Sequence, residues 1–442
     1  MTLRRQLAFS THMARCGWLG VVCLVLLSGC GSDERWVDAV ADSAPPGPDA
    51  RNWEAGDAPG TDAGVANDAR AEAAVDGALS APAACRVKER LLLGSGKGLS
   101  LTRVLRRGSE LAVLWRDLSM PRLSLSSVSQ PSLVAQVALP VPDGGTADLT
   151  VTPTGYAVAV RDPGDYAMRV FSLTTEWSEV QLPDQPTTFG PFGIGSTPTG
   201  TLIFVWSEKT GADSWYTVKY RSAHPGAGFG VAQTLSSKGI GKEFEFEPRG
   251  SELALAWVEV MPSRSTMKYT RFDAAGTPAQ AAPDLTNHDR YVYDVGIAHG
   301  PSGVGIAFTD SRVDILNVPL YFTTLDAQGA RLTDDERLSF SGEHEHVDLA
   351  WVAGAYRYVY LEFQNGPGSQ IKLLDLDEGG KQLAPPLQLS LATYLEYGAQ
   401  TRVGAPKIVD DGSGGALVIW PELVDKDTYA LKAVQLDCSA HA

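Results

Sequence analysis

Residues 304–310 read Val-Gly-Ile-Ala-Phe-Thr-Asp: a glycine-bearing turn, a run of strand-forming residues, then an aromatic, one further residue and an acid. The same order recurs at 111–117 (LAVLWRD), 156–162 (YAVAVRD), 202–208 (LIFVWSE), 253–259 (LALAWVE), 358–362 (YVYLE) and 416–422 (ALVIWPE). The closing acids, Asp117, Asp162, Glu208, Glu259, Asp310, Glu362 and Glu422, are spaced by 45, 46, 51, 51, 52 and 60 residues. Strand chemistry at a fixed period near 50 marks a propeller, in which each repeat is one small sheet that buries its faces only against its neighbours. Seven copies from Cys85 onward predict an all-β, seven-bladed β-propeller over 85–442 with four short strands per blade, and no helical periodicity competes there.

Within a unit the strand before the turn is the innermost, as in FEFEP (244–248), DVGIAHG (294–300), VDLAWVAG (347–354) and PKIVDDG (406–412). The aromatic-x-acid strand is second. The third ends in Phe272-Asp273 with Gly276, Leu325-Asp326 with Gly329, or Leu376-Asp377 with Gly380, a spacing that predicts a hairpin turn into the fourth strand. The last copy reads Leu436-Asp437-Cys438 and lacks a fourth strand, while an unassigned strand, 86–93, precedes the first copy. If that strand completes the last blade, Cys85 and Cys438 fall where other units have a hairpin turn. A disulfide there would stand in for the missing turn, at about 4–5 kcal/mol in the chain-entropy description.

Arg4, Arg5 and Arg15 precede an apolar run over 18–27 that ends in Leu27-Ser28-Gly29-Cys30, the pattern of a secretory signal. The run is about half the roughly 20 residues of a membrane-spanning helix. LSGC resembles the lipobox of bacterial lipoproteins, which implies that 1–29 are removed and that Cys30 carries the lipid. Gly31 and Ser32 offer no aspartate of the inner-membrane retention kind, so the resemblance implies an outer-membrane address in the cell envelope. Cys16 and Cys23 would leave with the signal, so Cys85 and Cys438 remain as an even pair in an oxidising compartment. Residues 31–84 are rich in Ala, Asp, Pro and Gly, and carry eleven acids against Arg35, Arg51 and Arg70. So little apolar surface cannot offset chain entropy, and 30–84 are expected to form a disordered acidic linker of roughly 40 Å.

As a whole, 85–442 resembles the propeller-repeat lipoproteins of Gram-negative bacteria with AW-x-D-x-R and LD-x-x-G units. Phe308-Thr309-Asp310-Ser311-Arg312 with Leu325-Asp326-Ala327-Gln328-Gly329 carries the resemblance, whereas Val160 and Tyr360 depart from it. It implies fold and export, and little about activity.

The chain is 44 % hydrophobic, with 45 glycines, ten tryptophans and a net charge of −15. No basic stripe exists for a phosphate backbone, which sets nucleic acid aside as a partner. A feature present in every blade is expected to build blades. The recurrent acids should therefore bond backbone N–H groups or pair with Arg116, Arg161, Arg221, Arg271 or Arg312. Trp115, Trp206, Trp257 and Trp420 should pack between blades with their N–H groups satisfied.

Loops that differ between blades are the better candidates. His288-Asp289-Arg290-Tyr291 and Asp294 lead into the fifth innermost strand; Glu343-His344-Glu345-His346 and Asp348 lead into the sixth. Lys242-Glu243 leads to Glu245 and Glu247 in the fourth, and Tyr394, Glu396, Tyr397 and Arg402 approach the seventh. Propeller geometry would bring these loops to one channel mouth. His288, Asp289, Asp294, His344, Glu345, His346 and Asp348 are the candidate ligand-binding residues. No cofactor is implied, although histidine with carboxylate also suits a divalent metal such as zinc. The chain lacks a Gly-x-Ser-x-Gly elbow, His-Glu-x-x-His, a glycine-rich phosphate loop, Cys-x-x-Cys-His and the sialidase Ser-x-Asp-x-Gly-x-x-Trp repeat. The expectation is a non-catalytic envelope module that binds a glycan or protein through one propeller face. The alternative is a hydrolase or lyase acting on polysaccharide, its carboxylate pair hidden among the face acids.

Overall fold

In the computed structural model, residues 83–442 are described except 118–119, 134–135, 141–144, 165, 185–189, 211–214, 280–281, 287–289, 314–317, 340–341, 365–367, 391–403, 426–427 and 440–442. Cys30, the segment read as signal and all of the linker except Ala83 and Ala84 lie outside the described residues. All described secondary structure is β, arranged as seven small antiparallel sheets in a ring, a seven-bladed propeller. The innermost strands, in chain order, are Ser100–Arg107, Thr146–Thr152, Phe192–Ser196, Ile240–Arg249, Val292–His299, Glu343–Val352 and Lys407–Asp410. Each packs against the next, and the first packs against the last, which closes the ring.

Why the repeat folds this way is visible in its second strand. Alternate side chains of that strand point to opposite faces of a blade, and both faces are covered by neighbouring blades. Such strands must therefore be apolar throughout, as Leu253–Val258 are, each 2 % exposed or less. Burial of an aromatic such as Phe308 contributes about 1.5–3 kcal/mol. The third strands end as the motif requires. Asp273 Oδ1 accepts the N–H groups of Ala275 and Thr277, Asp326 those of Gln328 and Ala330, and Asp377 those of Gly379 and Lys381. Gly276, Gly329 and Gly380 take the left-handed φ of +78°, +84° and +89° that these turns need.

The seventh blade closes as the termini imply. Arg86–Lys97 pairs antiparallel with Thr428–Asp437, from Arg86 opposite Asp437 to Lys97 opposite Thr428, and is longer than the 86–93 read from sequence. Cys85 and Cys438, 353 residues apart, form a disulfide beside the last pair, their Cα atoms 4.1 Å apart. The entry of this strand is anchored on the sixth blade. Asp375 accepts the Cys85 N–H at 2.8 Å and pairs with buried Arg357 at 2.9 Å, and Arg357 donates to the Ala83 carbonyl at 3.0 Å.

Three expectations need correction. Among the described residues the fourth blade has three strands rather than four, with isolated bridges at Pro278 and Asp284 in its outer position. Pro278 and Pro283 lack the N–H donors that a ladder requires there. The recurrent acids also pair differently. Of the five arginines, Arg312 meets its blade's acid, Asp310, at 2.6 Å. Elsewhere a third-strand cation opposite the aromatic does so: Arg122 with Asp117, Lys219 with Glu208, Lys268 with Glu259, Lys372 with Glu362 and Lys432 with Glu422. Arg271 pairs with Glu252 and Arg221 with Asp184 instead. Finally, Trp115 donates to Ser124 and Trp420 to Glu422, but the buried indole N–H groups of Trp206 and Trp257 find no hydrogen-bond partner.

Candidate functional site

Strand register places one residue of each innermost strand opposite the residue that precedes the second-strand aromatic. Round the ring these are Arg103, Asp148, Gly193, Glu245, Gly296, Asp348 and Lys407. They form a single girdle. Arg103, from the first blade, meets Asp148 of the second at 3.0 Å, and reaches across the ring to Glu245 and the Phe244 carbonyl of the fourth. Lys407 of the seventh blade meets the same Glu245 at 2.9 Å. Contacts between nearly opposite blades are made only on the axis, so this ion cluster bridges the channel.

The girdle also ties inner strands together. Asp148 accepts the Ile194 N–H and Asp348 the Ile408 N–H, both at 2.9 Å, each from the next blade. The two glycines sit where there is no room for a side chain. A Cβ at Gly193 would stand 2.8 Å from the Phe244 Cβ, and one at Gly296 would stand 3.0 Å from the Asp348 backbone.

The mouth lies one step above. In the fourth, fifth and sixth blades a bulge inserts an extra residue before the girdle position, between Lys242 and Glu245, Val292 and Val295, and Glu345 and Asp348. Bulges re-aim side chains, and here they bring Glu243, Asp294 and His346 together. Asp294 accepts the His346 N–H at 3.2 Å, with its carboxylate 3.8 Å from His346 Nδ1; Glu345 lies 3.9 Å from His346 Nε2. Glu243 and His346 hold left-handed φ values of +52° each, two of only four non-glycine residues above zero among those described. Below the girdle, Glu247 stands alone on a tier formed otherwise by Leu105, Thr150, Gly195, Ala298, Ala350 and Val409.

These surroundings separate the carboxylates. Burial pushes Glu247 up to about 8, and the charges of Asp348 and Glu245 add to it, against a stabilising N–H from the His299 backbone. Desolvation within the channel raises Glu243, exposed though the residue is as a whole, and Asp294 reinforces it; burial raises Asp348, reinforced by Glu245. Glu245 goes the other way: burial would raise it, but Arg103 and Lys407 outweigh that and lower it. Both cations are held charged by the same acids against the cost of burial. The channel therefore holds protonatable and firmly ionised carboxylates one step apart, a set of fixed hydrogen-bond acceptors and donors.

Of the residues singled out from sequence, Asp294, Glu345, His346 and Asp348 are brought together, with Asp348 one tier below the mouth. His288 and Asp289 lie outside the described residues, as do Tyr394, Glu396, Tyr397 and Arg402 of the seventh-blade approach. His344 is corrected: it is 1 % exposed, bonded through Nδ1 to the Val318 carbonyl at 2.9 Å and set edge-on to Tyr360, so it packs between blades. The bulge after Glu345 breaks the alternation that would otherwise put His344 and His346 on one side. Among the described residues no group of three or more His, Cys, Asp or Glu is placed to hold a metal ion. Arg103, Asp148 and Lys407 were not anticipated; Asp148 is the one charge of its innermost strand, whereas Arg103 shares its strand with Arg106 and Arg107, and Lys407 with Asp410, so nothing local singles these two out.

No family model matches the chain, and no curated protein matches it. Solved structures are similar in fold alone. An α-L-arabinofuranosidase of Fusarium graminearum in complex with arabinobiose shows 9 % identity over 65 % of this chain and 91 % of its own, at a TM-score of 0.43. The polysaccharide lyase Uly1 shows 10 % identity over 76 % and 89 %, at 0.44. Aleuria aurantia lectin with α-methyl-L-fucoside shows 10 % over 68 % and 97 %, at 0.40.

Proposed function

We propose that the protein is a cell-envelope lipoprotein, held through Cys30 and the 30–84 linker in the outer membrane, whose channel mouth binds a neutral glycan. The observation that carries this is the left-handed backbone of Glu243 and His346. A non-glycine residue held there costs about 1–2 kcal/mol, and such strain gathers where side-chain placement matters more than stability. Two residues at equivalent bulges flank Asp294, and all three meet at one mouth. Glu243, Asp294 and Glu345 offer acceptors, while Lys242 and His346 offer donors. That balance suits the hydroxyl groups of a neutral sugar and repels polyanions.

The test follows from the strain. A Glu243→Gly, His346→Gly double variant of the full chain relieves both backbones and removes both side chains. On a printed array of neutral and acidic oligosaccharides, the wild type should capture neutral members. The variant should lose that capture by at least about tenfold while melting no lower than the wild type. Undiminished capture by the variant, or selection of acidic members, overturns the reading.

A second reading, polysaccharide cleavage, is favoured by one observation: the proton-holding Glu247 lies one step from the ionised Glu245, a split that acid–base catalysis uses. Release of reducing ends from the captured sugars, abolished in Glu247→Gln, would replace the binding reading with this one.

A further inference from the structure

The far end of the innermost strands carries a second constellation. Three residues beyond the girdle position, each blade presents an equivalent residue, set opposite the start of its second strand. Blades two to four hold Val151, Ser196 and Pro248 there. The sixth, seventh and first blades, which are neighbours once the ring closes, hold Trp351, Asp410 and Arg106. These three line one open depression of about 350 Å³, with Val352, Ala353 and the glycines 412 and 414.

Its chemistry is specific. Arg106 Nη2 meets Asp410 Oδ2 at 2.9 Å, and the two side chains remain 30 % and 36 % exposed. Asp410 Oδ1 accepts the Gly412 N–H at 2.7 Å and Arg106 Nη1 donates to the Gly108 carbonyl at 3.1 Å, so both are oriented from behind. Gly412 is left-handed at +76°, and a Cβ there would collide with the Arg106 guanidinium; the glycine keeps the arginine in place. Trp351 is half-buried, its ring held edge-on against Tyr356 at 4.6 Å and 74°. The turn beneath it, Ala353-Gly354, is left-handed at both residues (+48° and +78°). Such a turn favours glycine or asparagine at its first position, and alanine there is strained.

We infer that this depression is a saccharide-binding subsite, separate from the channel mouth, in which a pyranose ring lies on the Trp351 indole and adjacent hydroxyls engage the Arg106–Asp410 pair. An apolar aromatic surface beside a few convergent polar groups is the usual composition of a small-ligand site. The paired charges cancel, which leaves donors and acceptors side by side with no net charge to select an anion or cation. The small volume limits the occupant to a terminal one or two sugar units. Convergence of the three residues depends on ring closure, because the chain separates Arg106 from Asp410 by the whole propeller.

The experiment is fluorine NMR of the full chain labelled with 5-fluorotryptophan, the Trp351 signal being identified by its loss in Trp351→Phe. Probes are the methyl α-glycosides of glucose, galactose and mannose, and N-acetylglucosamine. The Trp351 signal should shift saturably with at least one of them, in the millimolar range. In Asp410→Asn, which leaves the indole and the turn in place, half-saturation should need at least about tenfold more sugar. A Trp351 signal unmoved by all four probes overturns the proposal, as does an Asp410→Asn titration that matches the wild type. Shifts confined to other tryptophans would also overturn it while leaving the mouth available as a sugar site.

Discussion

In six of the seven blades the acid that closes the second strand meets a cation of its own blade, and in the second blade Asp162 accepts the Gly164 N–H instead. The girdle is built differently. Its seven equivalent positions hold Arg, Asp, Gly, Glu, Gly, Asp and Lys, and its partners lie in other blades, some across the ring. The contrast separates scaffold from site. A residue repeated in every blade answers a need that every blade shares, namely to fix the end of its second strand. A residue that differs at an equivalent position answers a need of the whole ring, and only its convergence on the axis gives it a partner.

The comparison breaks most severely if the ring opens, since the girdle has no meaning without closure. Serine at both Cys85 and Cys438 is expected to destabilise the chain by about 5 kcal/mol in the chain-entropy description, read as the fall in denaturant midpoint. A fall no larger than that from a surface substitution would mean that strand pairing alone closes the seventh blade. Next in size is Arg103→Met, which leaves Asp148 and Glu245 buried with one cation fewer and should cost about 3–5 kcal/mol. Lys432→Met, in the repeated ring, removes a partner that is 35 % exposed and should cost less than about 1 kcal/mol. Equal losses in the two variants would erase the distinction between the rings.

The last effect is a slope. The ordinary value for Glu247 is 4.5 and the folded value about 8, so between these the folded chain binds a proton that the unfolded chain has released. Its contribution to stability therefore falls as pH rises through that window and is level above it. Glu245, lowered by its cations, acts in the opposite direction and only at acid pH, where its contribution is lost. Melting temperatures from pH 5 to 9 should decline less in Glu247→Gln than in the wild type; parallel curves would refute the buried proton.

Much of the scaffold was legible because it is periodic. The aromatic-x-acid strand announced the blade count, Asp-x-x-Gly announced the hairpins, and Leu436-Asp437-Cys438 announced that the last blade borrows its outer strand from Arg86–Lys97. The site was legible only in part. Asp294 and His346 stood out as polar residues in non-repeating loops, and so did His344, which is buried. Nothing local distinguishes the two histidines, for the bulge that parts them is a property of the pairing with the second strand.

The order of strands, their alternation and the closure of the ring by the two ends were determined by the chain alone, because each follows from a pattern that is local or repeated. Which residues share a tier was decided by tertiary structure. Register and bulges set that alignment, and they arise from the packing of whole strands rather than from any short sequence. For the same reason Arg103 meets Glu245, and Arg106, Trp351 and Asp410 share one depression: side chains far apart in the chain become neighbours only when seven blades converge on one axis.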